Sequence, residues 1–225
     1  FVRKKLHLIY SSFQTNNKKN FEKYLEELKT QKTLDSVKKI LKISISTNER
    51  IEDYAEIYKK IFNETGKPFS IIDIGCGFNP ISFSFMNLEN VNYFAYDISQ
   101  NDVNLLNSYF SIMKNSGLNG TAEILDATNR EDLKKIPKAD IVFLFKLIDI
   151  IDKNSHKNSE DLIKILSEKV KFIVASFSKK TITGKPMNFP KRKWFEIMLK
   201  RIGIKFKKFE TKNEIFYIVN CKNKI

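Results

Sequence analysis

The sequence predicts an α/β fold with a doubly wound, mostly parallel seven-stranded sheet, a C-terminal antiparallel hairpin and helices at the N-terminus. Three observations predict this fold. Strand patterns alternate with helical patterns from about residue 69 onward. The first strand pattern ends in Asp73 and a Gly-x-Gly turn, and two closing strand patterns flank a short polar turn. Strands separated by helices indicate a parallel, Rossmann-like sheet with right-handed crossovers.

The beginning of the chain has the spacing of amphipathic helices and is predicted to form a helical subdomain at residues 1–66. Apolar residues from Phe21 to Leu28 recur at positions i, i+3, i+4 and i+7. Residues 46–49 (Ser-Thr-Asn-Glu) are predicted to cap a further helix, which carries apolar residues from Ile51 to Ile61. Gly66 and the Pro that follows shortly after it are predicted to end that helix.

Residues 67–225 are predicted to form the second domain, which contains the sheet. The predicted strands lie at 69–74, 91–97, 121–125, 139–145, 170–176, 204–210 and 213–220. The predicted helices lie near 79–87, 100–115, 129–135, 157–168 and 190–202. The last two strands are joined by a short polar turn, which indicates a hairpin.

The charge balance indicates an anionic partner. The chain has 225 residues, a formal net charge of +14 and a pI of about 9.6. A Lys-rich composition with solvated helix faces would also give this excess, but the basic residues occur in clusters, as a phosphate backbone would favour. No apolar run approaches the roughly 20 residues of a membrane span, and no signal peptide is visible. Because the chain begins with Phe1, we expect natural residues to precede it.

The cysteines predict neither a metal site nor a disulfide framework. Cys76 and Cys221 are the only two, and neither belongs to a CxxC or Cys/His cluster. We therefore expect no metal and a reducing, cytoplasmic location.

The glycine turn favours S-adenosylmethionine (SAM) over a dinucleotide. Pro80 stands where a dinucleotide fingerprint needs its third glycine, and no hydride-transfer residues are evident, which disfavours an NAD-linked oxidoreductase. Gly75 and Gly77 would let the backbone approach the methionine part of the cofactor. Asp73 would face its positive group, although a purely structural role, bonding loop amides, is equally open.

Two further acids follow successive strands. Asp97 comes about 20 residues after the glycines, where an acid accepts ribose hydroxyl groups, and Asp126 would accept the adenine amino group. Either acid alone could instead cap a helix. Because the carboxyl ends of parallel strands meet at one edge, we expect both acids to line one cofactor site.

The segment after the fourth strand predicts an acceptor that needs no base. It reads Phe145-Lys146-Leu147-Ile148, without the Asn-Pro-Pro-aromatic motif of exocyclic-amine methylation and without a nucleophilic cysteine. Guanine N7 attacks through a lone pair and loses no proton. Catalysis would then consist of alignment and electrostatic stabilisation.

Several segments resemble the aminoglycoside-resistance 16S rRNA (guanine-N7) methyltransferases, a family of class I SAM-dependent enzymes. The resemblance runs in the family's order from about Lys4 to Val219. It rests on K-K-L-H at 4–7, S-T-N-E-R at 46–50, D-I-G-C-G-F-N-P at 73–80, Phe145-Lys146, Ser176-Phe177, Gly184-Lys185 and W-F-E at 194–196.

The resemblance implies roles for individual residues. Arg50 would bind the SAM carboxylate, and Lys146, Ser176 and Lys185 would face the target nucleotide. An ion pair of Arg50 with Glu49 or Asp53, and a Lys146 charge reaching solvent from a strand end, are the alternatives. The chain departs from the family pattern on this substrate side, with Asp149 and Thr183 in place of a Pro and a Gly, and Ser178 in place of another Pro.

The resemblance also implies that residues 1–66 bind rRNA and that residues 67–225 bind SAM. The predicted RNA-facing residues are Lys4, Lys5, Lys179, Lys180, Lys185, Lys191, Arg192 and Lys193. Phe177, Phe189 and Trp194 would stack on a displaced base, although Trp194 and Phe195 also have the spacing of core residues.

The sequence therefore predicts a SAM-dependent enzyme, acting as a cytoplasmic monomer, that methylates guanine N7 in rRNA of the assembled small ribosomal subunit. A different acceptor, such as another rRNA position, adenine N1 or a protein, stays open. A non-catalytic RNA-binding module with the same fold is the third interpretation.

Overall fold

Seven strands form one mixed sheet in the computed structural model, which describes residues 20–152, 156–181, 185, 187 and 190–222. The strands are β1 Ser70–Ile74, β2 Val91–Asp97, β3 Leu118–Ile124, β4 Ala139–Phe145, β5 Val170–Ser178, β6 Lys205–Glu210 and β7 Glu214–Asn220. Their spatial order is β3-β2-β1-β4-β5-β7-β6. β1 to β5 pair in parallel, whereas β7 runs antiparallel to both β5 and β6.

Helices cover both faces of the sheet. They are α1 Phe21–Thr30, α2 Leu34–Leu41, α3 Ile45–Asn48, α4 Tyr54–Thr65, α5 Gln100–Met113, α6 Arg130–Lys135, α7 Ile148–Ile151, α8 Lys157–Ser167 and α9 Lys193–Arg201. Two 3₁₀ turns, Asn79–Phe85 and Lys114–Ser116, complete the described elements.

The predicted fold class is confirmed, including the closing hairpin, and each predicted strand matches an observed strand. The third strand is longer than predicted, because it begins at Leu118, opposite Val91, rather than at residue 121. Its first residues include Asn119 and Gly120, which have weak strand propensity, so pairing with β2 rather than local preference extends it. The helix predicted at 79–87 is a 3₁₀ turn with Pro80 in its first turn.

Both faces of the sheet are buried, which explains the continuous apolar runs in the central strands. In β1, Ile71 belongs to one core cluster and Ile72 to the other, because neighbouring side chains point to opposite faces. The first cluster contains residues of α1, α2, α4 and α5, and the second contains residues of α6 to α9.

The described helices before residue 66 share the first cluster with the sheet. Phe21, Val37 and Ile57 belong to it together with Phe143 of β4. These helices are therefore a layer over the sheet. Their function as a separate rRNA-binding subdomain stays a prediction, as does the division at residue 66.

The helix predicted to start at residues 46–49 begins later, at Tyr54. The hydroxyl of Thr47 donates hydrogen bonds to the carbonyls of Leu41 and Ser44 and so ties α3 back to the end of α2. A short hydroxyl side chain can bond preceding carbonyls instead of capping a helix, and here it does so. The chain consequently turns between α3 and α4, and Arg50 lies in that turn.

Gly120 in β3 provides a test of this packing. A Cβ atom there would lie 2.1 Å from Cδ1 of Phe110, a ring on α5. Alanine is ordinarily better than glycine in a strand, yet we expect Gly120→Ala to lower the free energy of unfolding by about 1–3 kcal/mol through overpacking. Urea denaturation would measure the loss, and Phe110→Leu in the same chain should recover part of it. A Gly120→Ala variant as stable as the parent would contradict the close approach of α5 to β3.

Candidate active site

A crevice opens at the carboxyl ends of β1 to β4, where the strand order reverses between β1 and β4. Ligands of open α/β sheets bind at such a switch point. The crevice is lined by Ser44, Ser46, Thr47, Arg50, Gly75, Cys76, Gly77, Phe78, Asp97, Ile98, Leu125, Asp126, Ala127, Phe145, Lys146, Leu147, Ile150 and Ile151. The structure thus brings together five residues predicted from sequence for the cofactor, together with Lys146.

The glycine turn forms the floor of the crevice. Gly75 and Gly77 have φ angles of +64° and +48°, a region that favours glycine. A Cβ at Gly75 would lie 2.7 Å from Cδ1 of Leu147, in the segment after β4. At Gly77 no atom lies within 4 Å of that position. The turn therefore contacts the neighbouring loop on one side and leaves open space on the other.

Asp97 is oriented by the backbone around it. Its Oδ2 accepts a hydrogen bond from the amide of Gly77 at 2.9 Å, and its Oδ1 accepts one from the amide of Ser99 at 3.0 Å. Each carboxylate oxygen can accept more than one hydrogen bond. The two hydrogen bonds therefore fix the carboxylate in position at the crevice.

Asp126 lies beyond the end of β3 and is held by a local turn. Its Oδ1 accepts hydrogen bonds from the amide and the hydroxyl of Thr128 at 2.9 and 2.7 Å. Such a turn fixes one oxygen of the carboxylate. The other oxygen, Oδ2, is the one that suits a donor from a ligand in the crevice.

Asp73 does not line the crevice, and the structure favours the structural alternative for it. The residue is fully buried, and its Oδ2 accepts hydrogen bonds from Asn79 Nδ2 at 2.8 Å and from the hydroxyl of Tyr93 at 2.7 Å. Within the described residues its Oδ1 has no hydrogen-bond partner. Burial raises the pKa of the Asp73 carboxyl to about 6, although the two hydrogen bonds act in the opposite direction.

A buried cluster of charges lies beside the glycine turn, and its central residue is Glu214. Arg50 donates from Nε and Nη2 to the two oxygens of Glu214 at 2.7 and 3.0 Å. Lys146 Nζ lies 3.4 Å from Glu214 Oε1 and 2.5 Å from Glu49 Oε2. The hydroxyl of Ser176 donates to Glu214 Oε2 at 2.6 Å. Both alternatives for Arg50 are thereby corrected, because its partner is neither Glu49 nor Asp53.

The cluster favours the charged forms of Glu214 and Arg50. Burial alone would raise the pKa of Glu214, but the charges of Arg50 and Lys146 outweigh burial and lower it below the ordinary value. Burial likewise disfavours the Arg50 guanidinium, and the attraction of Glu214 reverses that effect and raises its pKa.

The backbone of Lys146 is strained at the end of β4. Its φ is +56°, which is uncommon for a residue with a side chain. The amide of Lys146 donates to the carbonyl and the hydroxyl of Ser176 at 3.0 and 3.1 Å. Strain of this kind concentrates at functional sites, where surrounding contacts maintain it.

The expectation that Ser176 faces the target nucleotide is corrected. Ser176 is fully buried in β5, where it bonds Glu214 and the backbone of Lys146. Ser176 therefore holds the backbone of Lys146 in place and does not line the crevice. The amide of Thr181 donates to the carbonyl of Lys185 at 2.8 Å. Lys185 is exposed there, and its contact with a nucleotide stays a prediction.

Arg192 does not belong to the RNA-facing surface, contrary to expectation. It is 8% exposed and donates from Nε and Nη2 to Asp149 at 3.1 and 2.6 Å. Asp149 is one of the departures from the family pattern, and this pair joins the segment after β4 to the segment before α9. Lys191 and Lys193 are exposed, whereas Lys179 and Lys180 are half-buried. Lys4, Lys5 and Phe189 lie outside the described residues.

A second basic run, between Lys200 and Lys208, is largely neutralised by acids. Lys207 on β6 pairs with Glu64 of α4 at 2.6 Å, and Lys208 pairs with Glu196 of α9 at 2.8 Å. These lysines fasten the edge strand β6 to helices on both faces of the sheet.

Sequence reasoning missed Glu214 and Glu49. Glu214 opens an otherwise apolar strand, and a single acid at an inward-facing strand position was the available signal. From the sequence, Glu49 is predicted as part of a helix cap and as an alternative partner of Arg50, whereas the structure pairs it with Lys146. Across the described residues, no three His, Cys, Asp or Glu side chains gather as metal ligands. The helices in these ranges are all too short or too polar to traverse a lipid bilayer.

A family model described as ribosomal RNA methyltransferase (FmrO) matches residues 2–218 of this chain. Among curated proteins, the 16S rRNA (guanine(1405)-N(7))-methyltransferase of Proteus mirabilis is 29% identical, with 97% of this chain and 82% of the relative covered. The enzyme of the same description from Micromonospora echinospora is 23% identical, with 97% and 80% covered.

Two solved structures of similar fold are a 16S rRNA methylase and a 16S rRNA methyltransferase. The 16S rRNA methylase ArmA is 29% identical, with a TM-score of 0.68 over 89% of this chain and 97% of that one. The 16S rRNA methyltransferase RmtF, solved with S-adenosyl-L-homocysteine, gives a TM-score of 0.76 at 23% identity, with 97% of this chain and 81% of that one covered.

Removing the charge at the centre of the cluster should destabilise the fold. Glu214→Gln leaves Arg50 buried without its counter-charge, and we expect a loss of about 3–5 kcal/mol in urea denaturation at pH 7. Glu210→Gln, in the same hairpin, removes only an exposed partner of Lys179 and should cost less than about 1 kcal/mol.

The pH dependence of that loss follows from the lowered pKa of Glu214. A carboxyl with a depressed folded pKa contributes stability above its unfolded pKa, and that contribution disappears as pH falls through the folded pKa. The difference between the parent and Glu214→Gln should therefore shrink below pH 4.5, the ordinary value. A difference that stays constant from pH 7 to pH 3 would argue against a charged Glu214 in the fold.

Asp73 should affect stability in the opposite pH direction to Glu214, and the variant Asp73→Asn tests this. Because burial raises the pKa of Asp73 from 3.8 to about 6, the folded parent binds a proton that the unfolded chain has already lost in this interval. Stability of the parent therefore falls as pH rises between these values, by up to about 3 kcal/mol. Asp73→Asn lacks this slope and can still accept both hydrogen bonds through its side-chain oxygen. Parallel stability curves for parent and variant between pH 4 and 6.5 would refute the raised pKa.

Proposed function

The chain belongs to the ribosomal RNA methyltransferase (FmrO) family, and from this premise we propose that it transfers a methyl group from SAM to N7 of a guanine in 16S-type rRNA. The observation that carries the proposal is the crevice at the switch point, with Gly75, Gly77, Asp97 and Asp126 along it and Lys146 at its side. Its curated relatives are guanine-N7 enzymes, which supports the acceptor. We further propose a cytoplasmic monomer that acts on assembled small subunits.

The residues of the crevice fit the cofactor. The open side of Gly77 would accommodate the methionine part, Asp97 would accept the ribose hydroxyls, and Asp126 Oδ2 would accept the adenine amino group. Arg50 lines the crevice and would approach the methionine carboxylate, while Glu214 engages its Nε and Nη2 and Tyr54 also bonds its side chain. When bound, SAM supplies a methyl group on a positively charged sulfur. The relative RmtF was solved with the corresponding product, which supports this assignment.

The protein's contribution to methyl transfer would be alignment and electrostatics. Guanine N7 needs no base, and Lys146 is the charged group at the target side of the crevice. Its neighbours Glu49 and Glu214 hold the ammonium in place, and Ser176 fixes the backbone that carries it. A preoriented charge in a site of low dielectric avoids reorganisation during the reaction.

The exposed lysines would guide the RNA to this site. Lys191 and Lys193 precede and begin α9, and Lys185 lies in the preceding loop. These residues would contact phosphates, which position an RNA without reading its sequence. Arg192 is excluded from this role by its pairing with Asp149, and instead anchors the loop.

The proposal is tested with purified small subunits, SAM carrying a labelled methyl group, and mass spectrometry of the rRNA nucleosides. We expect label in 7-methylguanosine. Asp97→Ala should weaken S-adenosylhomocysteine binding by roughly 10- to 100-fold in calorimetric titration. Lys146→Ala should lower kcat by roughly 100-fold with cofactor affinity nearly unchanged.

Asp132→Ala is the matched control, because Asp132 is a half-buried acid on α6 that does not line the crevice. It should change neither quantity. Label in 1-methyladenosine or in ribosomal protein would transfer the proposal to one of the alternative acceptors. Cofactor and subunit binding without any label would indicate the non-catalytic RNA-binding module.

A further inference from the structure

Trp194 and His156 form an aromatic stack at the rim of the sheet. Their ring centroids are 3.7 Å apart, and the planes are inclined by only 7°. Trp194 lies in the first turn of α9, and His156 directly precedes α8. The two rings therefore join the starts of two helices that follow β4 and β5, on the same side of the sheet as the crevice.

The inner side of the stack is supported by the core. Trp194 meets Phe177 and Phe195 edge to face, with centroids 6.3 and 5.6 Å away, and both phenylalanines are fully buried. The stacking role predicted for Phe177 is corrected by its burial. Trp194 itself has one face covered by the imidazole, so it does not offer that face to a base.

The imidazole of His156 is held in place. Its Nδ1 donates to Asp152 Oδ2 at 3.0 Å, and the other oxygen of Asp152 accepts the amide of Ser159 at the start of α8. The backbone of His156 has a φ of +51°, which is unfavourable for a residue with a side chain. These contacts fix the ring against Trp194, yet its side chain remains 52% exposed.

The imidazole is bonded to Asp152, the residue that follows Ile151 of the crevice, and two exposed lysines begin the helices beside it. Ile151, one residue before Asp152, lines the crevice. The amino ends of α8 and α9, which carry partial positive charge, meet at the stack. Lys157 and Lys193, the first residues of the two helices, are both exposed.

From this geometry we infer that the outer face of His156 is a stacking surface for an unpaired rRNA nucleotide that flanks the target guanine. The inference rests on the proposed function for the identity of the RNA. Sequence-specific RNA recognition stacks unpaired bases on aromatic side chains, including histidine, while nearby cations contact the phosphates. The imidazole supplies a flat surface that is supported by Trp194, and Lys157 and Lys193 supply the cations.

The test compares His156→Ala, His156→Phe and Phe69→Ala in the full chain. Phe69 is the matched control, because it is 73% exposed and directly precedes β1. It therefore lies at the amino ends of the parallel strands, whereas the crevice lies at their carboxyl ends. We expect His156→Ala to raise the Kd for small subunits, and the KM for methylation, by roughly 5- to 100-fold. Affinity for S-adenosylhomocysteine and thermal stability should change little. His156→Phe keeps a flat ring and should retain binding within about threefold, and Phe69→Ala should resemble the parent.

The outcomes separate this inference from the proposed function. If the parent methylates and His156→Ala binds subunits equally well, the stacking surface is refuted and the function stands. Equal losses in His156→Ala and His156→Phe would also refute it, because a flat ring would then not suffice.

If the parent does not methylate small subunits, binding to the His156 surface is measured by the fluorescence of Trp194, the only tryptophan of the chain. Titration with a single-stranded oligoadenylate should change its fluorescence in the parent and in His156→Phe, with a much weaker response in His156→Ala. An equal response in all three proteins, or none in the parent, would overturn the inference.

Discussion

The ion pair between Arg50 and Glu214 is the interaction on which the site depends. It joins the turn after α3 to the first residue of β7, and both side chains are almost fully buried. Two buried charges have a large desolvation cost, which only close, hydrogen-bonded geometry offsets. The bidentate contact provides that geometry, and Lys146 and Ser176 complete the coordination of Glu214. One carboxylate thereby fixes, relative to one another, the helical layer, the end of β4 and the closing hairpin.

In the proposed reaction the acceptor needs no base, and this arrangement would promote the reaction by holding charges in place. The charged groups are held by other charged groups, so few of them need to reorient when a substrate enters. The glycine turn and the two acids at the ends of β2 and β3 provide a second rigid region across the crevice. We propose that this crevice serves rRNA methylation. The hairpin that carries Glu214 is then part of the site as well as the end of the sheet.

The strands and the cofactor acids could be predicted because their signals are local. A buried parallel strand is a continuous apolar run, and an acid directly after it must lie at the ligand edge, as Asp97 and Asp126 do. The partners of Arg50 and Arg192 could not be predicted, because each pairing depends on the final fold. Glu214 lies 164 residues after Arg50, and no periodicity links them. The orientation of Ser176 could not be predicted for the same reason. The sequence places it at the end of a strand, but its contacts with Glu214 and Lys146 depend on the final fold.

The lysines of β6 have an effect that lies outside catalysis. Among the described strands β6 is terminal in the sheet, and the outer edge of such a strand offers backbone groups to which another chain could add. Lys205, Lys207 and Lys208 place closely spaced charges along that edge, and two of them are tied to helices on opposite faces. A second molecule that approached edge to edge would have to bury these lysines, two of them with their paired acids, at the new interface. The charged side chains of β6 therefore disfavour the addition of another chain to this end of the sheet.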